Sequence, residues 1–527
     1  MSEASLKNAG IKNIRFPFAF CFLNCIFAHY NNETDMDIKF YRIRIMNRKI
    51  NQLFKMLLLV CGFALMLPAC SKDDNETDSG ADEPKAKYTI MIYGCGGENV
   101  DNQIDYALEA VAKALSVSNN QVRITVMYSM SKDISGHKKD NPDVDENSFL
   151  GEFGKTYRYE LTKDMDLTLE GFRSKYFYKN ASEVELYKQS TLVDYIRWAK
   201  QTAPAENYIL LPVNHGGGFD LDHEITRGIA YDDNHNGISN SIKTIAAALK
   251  ETGNIKAIYW YGCLMAQLEV LTEVAPYCEY QFASSHVARI NNLHLLGLIN
   301  AINASPDNFE AAIAKQHEAI EAVNSDFCNI PDATDPTITH NENCDFGCWR
   351  SNKLAALNTQ VKALATLLAD NYATESADID KATAGVYLFE KGCTYVDLLD
   401  FANLVAINLT DTQLKAQAQT IANAMRTAYA DATVYRFNGV NRVSADNYYV
   451  APVNSEGNNE FSLGISIYAK DENPYKLYGA NYKASAFDAA TDWSKWLDVN
   501  MTQLDGEVNP CNDSAWETFW LEDPAEN

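Results

Sequence analysis

Basic residues are scarce in this sequence: 45 lysines and arginines face 70 aspartates and glutamates in 527 residues, a formal net charge of -25. A surface of that sign repels phosphate backbones and anionic headgroups, which argues against nucleic acid as a partner. There is no G-x-S-x-G run. The chain therefore cannot form the nucleophile elbow of an α/β-hydrolase, although it contains a His-Gly-Gly-Gly stretch of the kind those enzymes use as an oxyanion loop. No His-Glu-x-x-His arrangement and no i,i+4 histidine pair support zinc, with His223 and His235 merely near His215 in sequence, and the twelve cysteines lack the repeated close spacing of a zinc ribbon. "DDNHNG" sets Asp232, Asn234, Asn236 and Gly237 at spacings like those of a calcium loop, but the twelfth position is Lys243 instead of the bidentate glutamate such a loop requires. That stretch reads as a turn capping the following helix, and no cofactor is expected from the residues.

What is present is a chain that is 46% hydrophobic, long enough for one large or two medium domains with real cores. Its beginning reads as an address. "MNRKINQLFKMLLLVCGFALMLPAC" supplies Arg48, Lys49 and Lys55, then an apolar segment from Met56 to Leu67 too short to span a bilayer comfortably, then Pro68-Ala69-Cys70. Residues 46–70 are thus expected to be an export signal, and 71–86, with "SKDDNETDSGADEPK", an acidic flexible tether. "LPAC" resembles the lipobox of bacterial lipoproteins, which implies lipidation at Cys70, and "SKDD" resembles the export signal of surface lipoproteins in the Bacteroidetes. The resemblance implies an outer-membrane lipoprotein exposed at the cell surface, touching membrane only through its N-terminal anchor. Residues 1–45 precede a complete signal and are expected to be an over-long gene model. In an exported protein, Cys328, Cys344 and Cys348 form a candidate disulfide cluster.

From Lys87 onward, short apolar runs alternate with amphipathic segments. "KYTIMIYG", "VRITVMYSM", "NYILLPVN" and "IKAIYWYG" read as buried strands, and "VDNQIDYALEAVAKALS", "STLVDYIRWAKQTA", "SNSIKTIAAALKETG" and "LMAQLEVLTEVA" as helices between and after them. Ser190 is the expected cap of the second helix, and Gly253 the stop of the third. Strands apolar on both faces and joined by helices imply a mainly parallel sheet covered on both sides, with its chemistry at the carboxyl ends of the strands. Residues 87–300 are expected to form this catalytic domain. Residues 301–500 form a helix-rich C-terminal region in which "GVYLFEKG" and "FSLGISIYA" look like strands that rejoin the sheet or build a small accessory layer, and 501–527 form a tail.

Two strand ends stand out. His215 follows "YILLPVN", and Cys263 follows "IYWYG" where a helix is expected to begin at once. A cysteine in a first helical turn has its thiolate stabilised by backbone N–H groups and the macrodipole. A histidine on a neighbouring strand end can take the thiol proton and return it to a leaving amine. Gly216, Gly217 and Gly218 allow close backbone approach, and an unencumbered N–H there is a candidate oxyanion donor.

"NHGGG" followed by a strand and "GCLMAQLEV" resembles the clostripain family of cysteine peptidases. "YTIMIYGCGGENVDNQIDYALEAV", "RGIAYDDNHNGISNSIKTIAAALKETG", "YVDLLDFANLV", "LGISIYAKDENPY" and "YKASAFDAATDWSKWLD" extend the likeness from about Lys87 to Leu497. The resemblance implies a caspase-like three-layer α/β sandwich, His215 as general base, Cys263 as nucleophile, Gly216 at the oxyanion, peptide or protein substrates, self-processing at Arg227 and a calcium dependence for which no site is recognisable. It also implies an aspartate two residues before the nucleophile, pairing with a basic P1 side chain. Tyr261 occupies that position here, and the next strand offers Ser284 where a carboxylate would have helped, so Tyr261 and Ser284 are the candidate pocket residues. A peptidase-like surface lipoprotein that binds without turnover is the alternative.

Overall fold

The computed structural model describes residues 85–97, 101, 108, 111–112, 121–140, 142–219, 229–285, 292–327, 330–331, 339–340, 345–386, 395–438, 465–469 and 479–502. Every described residue lies in one unit, Asp82–Asn527. Residues 46–70 with Cys70, the segment holding Arg227, and Cys328 and Cys344 lie outside the described residues.

The strands in chain order are β1 (Ala86–Cys95), β2 (Val122–Ser129), β3 (Lys155–Leu161), β4 (Phe177–Asn180), β5 (Ala205–Val213), β6 (Ile229–Asp232), β7 (Ile238–Asn240), β8 (Ile255–Tyr259), β9 (Cys278–Ala283), β10 (Ile330–Pro331), β11 (Thr339–His340), β12 (Asp345–Arg350), β13 (Tyr395–Asp397), β14 (Thr433–Asn438) and β15 (Ser466–Tyr468). Nine of the described strands form one sheet in the order β14-β12-β9-β8-β5-β1-β2-β3-β4. The five central strands are parallel, with registers such as Ile90↔Ile124, Ile90↔Ile209, Ile209↔Ala257 and Ile258↔Gln281. The flanking strands β3, β4, β12 and β14 run antiparallel to their neighbours.

Alternation along each strand feeds two separate cores, because successive side chains leave opposite faces. Met91, Tyr93, Leu210 and Ile258 pack under the Gln189–Thr202 and Ile242–Thr252 helices and the C-terminal helices Leu354–Gly385, Leu398–Asn408 and Thr412–Ala432. Ile90, Ile92, Ile209 and Ala257 face the other way, toward the Asn292–Ala304 and Phe309–Phe327 helices. Leu108, Val111 and Ala112, the described apolar residues of the first expected helix, are helical and belong to this second core. The result is the expected three-layer α/β sandwich with a mainly parallel sheet and a helix-rich C-terminal region.

Local details differ from expectation in three places. The second helix starts at Gln189 behind Lys188, with no side-chain cap, so Ser190 already lies inside it. In the third helix the capping reading holds: Ser241 Oγ accepts from Thr244 N at 3.1 Å, and Gly253 ends the helix at φ 89°. The strands that rejoin the sheet after residue 300 are β12 and β14; β15, from "FSLGISIYA", pairs with β13 in a two-stranded accessory sheet, the second of its two expected placements, and "GVYLFEKG" lies mostly outside the described residues. Cys348 lies in β12 as a free thiol with 0% exposure, opposite Phe282 and Tyr435. It is a small core residue, as buried cysteines commonly are, and not part of a disulfide cluster.

Candidate active site

From β1 the sheet grows in both directions: β2, β3 and β4 on one side, β5, β8 and β9 on the other. The strand order therefore switches between β1 and β5, and the crevice at the carboxyl ends of those strands is where a doubly wound sheet places its ligands. Cys95, Gly96 and Gly97 leave β1 there; Asn214, His215 and Gly216 leave β5; Tyr261, Gly262 and Cys263 follow β8. Parallel pairing between the last two continues past the strands proper. Val213 bridges Tyr261, Tyr261 N–H donates to Pro212 O at 3.1 Å, and Asn214 N–H reaches Tyr261 O at 3.4 Å. Pro212 cannot donate to the ladder, and it is tolerated as the penultimate residue of β5, where regular pairing with β8 has already ended at Leu210.

Two glycines let the histidine loop and the cysteine turn touch backbone to backbone. A Cβ on Gly216 would strike the Cys263 carbonyl and lie 2.8 Å from Cys263 N, and one on Gly262 would lie 3.0 Å from Asn214 O and 3.1 Å from Gly216 N. Only residues without a side chain permit that approach. Gly216 also bridges Ile229, the first residue of β6, so the β6–β7 hairpin lies alongside the loop.

Asn214 organises the histidine side. Its Nδ2 donates to Cys95 O at 2.5 Å and to Tyr231 O at 3.3 Å, and its Oδ1 accepts from the His215 backbone N–H. One buried amide thus joins the ends of β1 and β5 to β6. Tyr231 meets the His215 ring edge-on, with centroids 6.3 Å apart. Burial pushes the His215 imidazole down to about 4, because a charged ring loses its hydration there. The ring is neutral at physiological pH, the state a proton acceptor needs.

The cysteine side overturns one expectation. No helix begins at Cys263. Residues Gly262–Leu264 form a turn, Leu264 adopts φ 60°, and the helix Leu268–Val274 starts five residues beyond the cysteine, without a side-chain cap. The intervening residues are claimed by strand-like pairing: Ala266 N–H donates to Ser284 O at 2.8 Å, Ser466 N–H donates to Ala266 O at 2.9 Å, and Gln267 bridges Ser466. A continuous apolar run is compatible with either conformation, and here tertiary pairing decides. The macrodipole is consequently no source of thiolate stabilisation at Cys263. A leucine in the left-handed region costs of order 1 kcal/mol and is the kind of strain that concentrates at working sites.

Tyr261 and Ser284 each lie two residues beyond the last register pair of β8 and β9, Tyr259↔Phe282. Both are buried, at 4% and 1% exposure, and the Tyr261 ring sits 6.0 Å from that of Tyr259. Cys263 itself is 6% exposed. The turn read in "DDNHNG" is a 3-10 turn between β6 and β7, where Asp232 is already engaged by Leu186 N–H at 3.1 Å and His235 Nδ1 at 2.8 Å. No group of three or more metal-binding side chains occurs among the described residues. Sequence reasoning missed Asn214 and Gln267. Each is a polar side chain inside an otherwise apolar stretch, a signal that a buried hydrogen bond is needed there.

A parallel sheet whose carboxyl edge presents a thiol beside an imidazole-bearing glycine loop has the layout of the caspase-like cysteine peptidases. The clostripain family model matches residues 100–499, and the chain belongs to that family, as a hydrolase of the cysteine peptidase class. Among solved structures, the fold resembles that of a secreted C11 cysteine protease from Bacteroides thetaiotaomicron bound to an irreversible peptide inhibitor, with a TM-score of 0.52 at 16% identity over 78% of this chain and 99% of that one. An inactive zymogen C11 protease from Parabacteroides distasonis gives the same TM-score of 0.52 and 16% identity, over 78% and 99%. No curated protein matches the sequence.

Proposed function

We propose that the chain is an endopeptidase in which Cys263 and His215 act as a dyad. The observation that carries this reading is the backbone packing of Gly216 on Cys263 at the switch point of the sheet. His215 takes the Cys263 thiol proton; the sulfur attacks the peptide carbonyl; Gly216 N–H steadies the oxyanion; and the proton passes to the departing amine. Water, deprotonated by the same imidazole, then cleaves the acyl-enzyme. A thiol-directed peptide probe tests the assignment: it should label wild type and leave Cys263→Ala unlabelled, and equal labelling of both would remove Cys263 from the role.

The residue on the acyl side of the cleaved bond follows from the pocket. Tyr261 and Ser284 put no carboxylate at its candidate floor, so cleavage after arginine or lysine requires an acid from elsewhere, and a positional peptide library reads the preference directly. Processing at Arg227 depends on the same basic preference, and an active enzyme that remains one uncut chain would make it unnecessary. The low exposure of Cys263 favours a second reading, a peptidase-like binding lipoprotein; a silent Cys263 in folded protein would make that the better account.

The leader supports export, with lipidation at Cys70 as the membrane anchor and exposure at the surface of the outer membrane. Metabolic labelling with a fatty-acid analogue should mark wild type and not Cys70→Ala.

A further inference from the structure

The glycine loop after His215 is anchored at both ends. At its start Gly216 lies on the backbone of Cys263 and bridges Ile229. At its far end Phe219 N–H donates to Oε1 of Gln267 at 2.6 Å. Gln267 has 0% exposure and stands four residues beyond Cys263 on the nucleophile's own segment. Gly218, at φ 78°, is pressed so closely against the Gln267 amide that a Cβ there would collide with Nε2 and Cδ. The two segments therefore meet twice, once at Cys263 and once at Gln267, and the glycine loop is stretched between the two contacts.

Phe219 is held from its other side as well. Its carbonyl accepts from the Tyr395 hydroxyl at 3.3 Å, and its ring meets Tyr482 edge-on at 5.9 Å. The Gln267 Nε2 has no hydrogen-bond partner among the described residues. A buried amide with an idle donor is costly, and an apolar side chain would fill the space without that cost. The oxygen facing Phe219 is what glutamine supplies at this position.

We propose that Gln267 is a positioning residue: by holding Phe219 N–H it sets the spacing between the Gly216–Gly218 loop and Cys263, and so places the oxyanion donor at the carbonyl under attack. This rests on the Cys263–His215 reading and names the part that tunes it. Gln267 touches no reacting atom, and its effect is on loop placement, which matters most when charge develops in the transition state.

The test compares Gln267→Met, which keeps the volume and loses the hydrogen bond, with Gln267→Glu, which keeps an acceptor for Phe219 N–H. Each is assayed as the full chain on a fluorogenic peptide, beside wild type and Cys263→Ala, with competent sites counted by a thiol-directed peptide probe. Gln267→Met should lose kcat per counted site by about tenfold or more while KM stays within about threefold. Gln267→Glu should approach wild-type kcat at low pH and lose it as pH rises, because an ionised carboxylate beside the loop opposes the oxyanion. A Gln267→Met kcat within about threefold of wild type, a loss appearing equally in KM, or a Gln267→Glu profile parallel to wild type at every pH would overturn the role. Should Gln267→Met fail to fold, the Gln267→Glu profile decides. Persistent turnover by Cys263→Ala would instead sink the dyad, whereas normal Gln267 variants beside a dead Cys263→Ala would remove the positioning role alone.

Discussion

The histidine and cysteine arms of the site leave adjacent parallel strands, yet they are secured by different means. After β5 the chain runs through three glycines and, besides its backbone pairing to Tyr261 and Ile229, is held by two side-chain amides, Asn214 before the loop and Gln267 behind it. After β8 it is held by backbone pairing to residues on both sides, Ser284 and Ser466, and by the burial of Leu264, Met265 and Ala266. Backbone pairing of this kind survives most substitutions, because any residue but proline can supply it. The histidine arm depends on particular side chains. Mutations that spare the fold should accordingly alter the placement of His215 and Gly216 more readily than that of Cys263.

The comparison can be broken most forcefully at its chemical ends. If Cys263 is the nucleophile as proposed, Cys263→Ala should reduce kcat/KM by about 10⁴-fold or more, measured on a fluorogenic peptide, because no other group replaces its sulfur. The next largest effect is on stability. The unfolded chain binds a proton at His215 near pH 6.5, whereas the folded chain does so only near 4, so stability falls as pH drops through that interval and is unaffected above it. The full loss is about 3 kcal/mol. Glu269 works in the opposite sense. It is buried, with Tyr468 N–H at 2.8 Å and the Tyr482 hydroxyl at 3.0 Å on one oxygen, and burial raises its carboxyl from 4.5 to about 7, so its contribution weakens as pH rises through that range. Urea unfolding of wild type against His215→Gln at about pH 8 and about pH 4.5 isolates the histidine, since the variant should lose less stability on acidification.

Gly216→Ala tests the contact between the arms. Its methyl group would be driven into the Cys263 backbone, and about a hundredfold loss of kcat/KM is expected in protein that still unfolds cooperatively. Asn214→Ala should cost less, about tenfold in kcat with KM little changed, because it frees three backbone groups without moving any into a clash. An Asn214→Ala enzyme with wild-type kcat would mean that the histidine arm is as self-supporting as the other. The smallest effect is at Ser190: since it does not cap its helix, Ser190→Ala should shift the unfolding free energy by less than about 0.5 kcal/mol, whereas Ser241→Ala should cost about 1 kcal/mol.

The parallel core was legible because each of its strands is an apolar run bounded by polar helix starts, a local pattern. His215 and Cys263 were legible because glycines mark both turns. The structure around Cys263 was not, since "CLMAQLEV" has the same apolar residues whether it coils from the first residue or runs extended for five. What settles it is pairing to Ser284 and Ser466, about which the local sequence carries no information. β12 and β14 were missed for a related reason. They pair with one another across more than eighty intervening residues, and "CDFGC" drew attention to its cysteines and away from the alternation that buries Phe346 and Cys348. Asn214 and Gln267 lay in plain view, but which carbonyl or N–H each would meet depends on strand order.

The Ala266 carbonyl accepts from both the backbone N–H and the hydroxyl of Ser466, 200 positions later in the chain. During synthesis the Cys263 segment therefore emerges long before the strand that flanks it. The cysteine arm can close only after residue 466 has been made, so the turn at Cys263 takes its final shape late in synthesis.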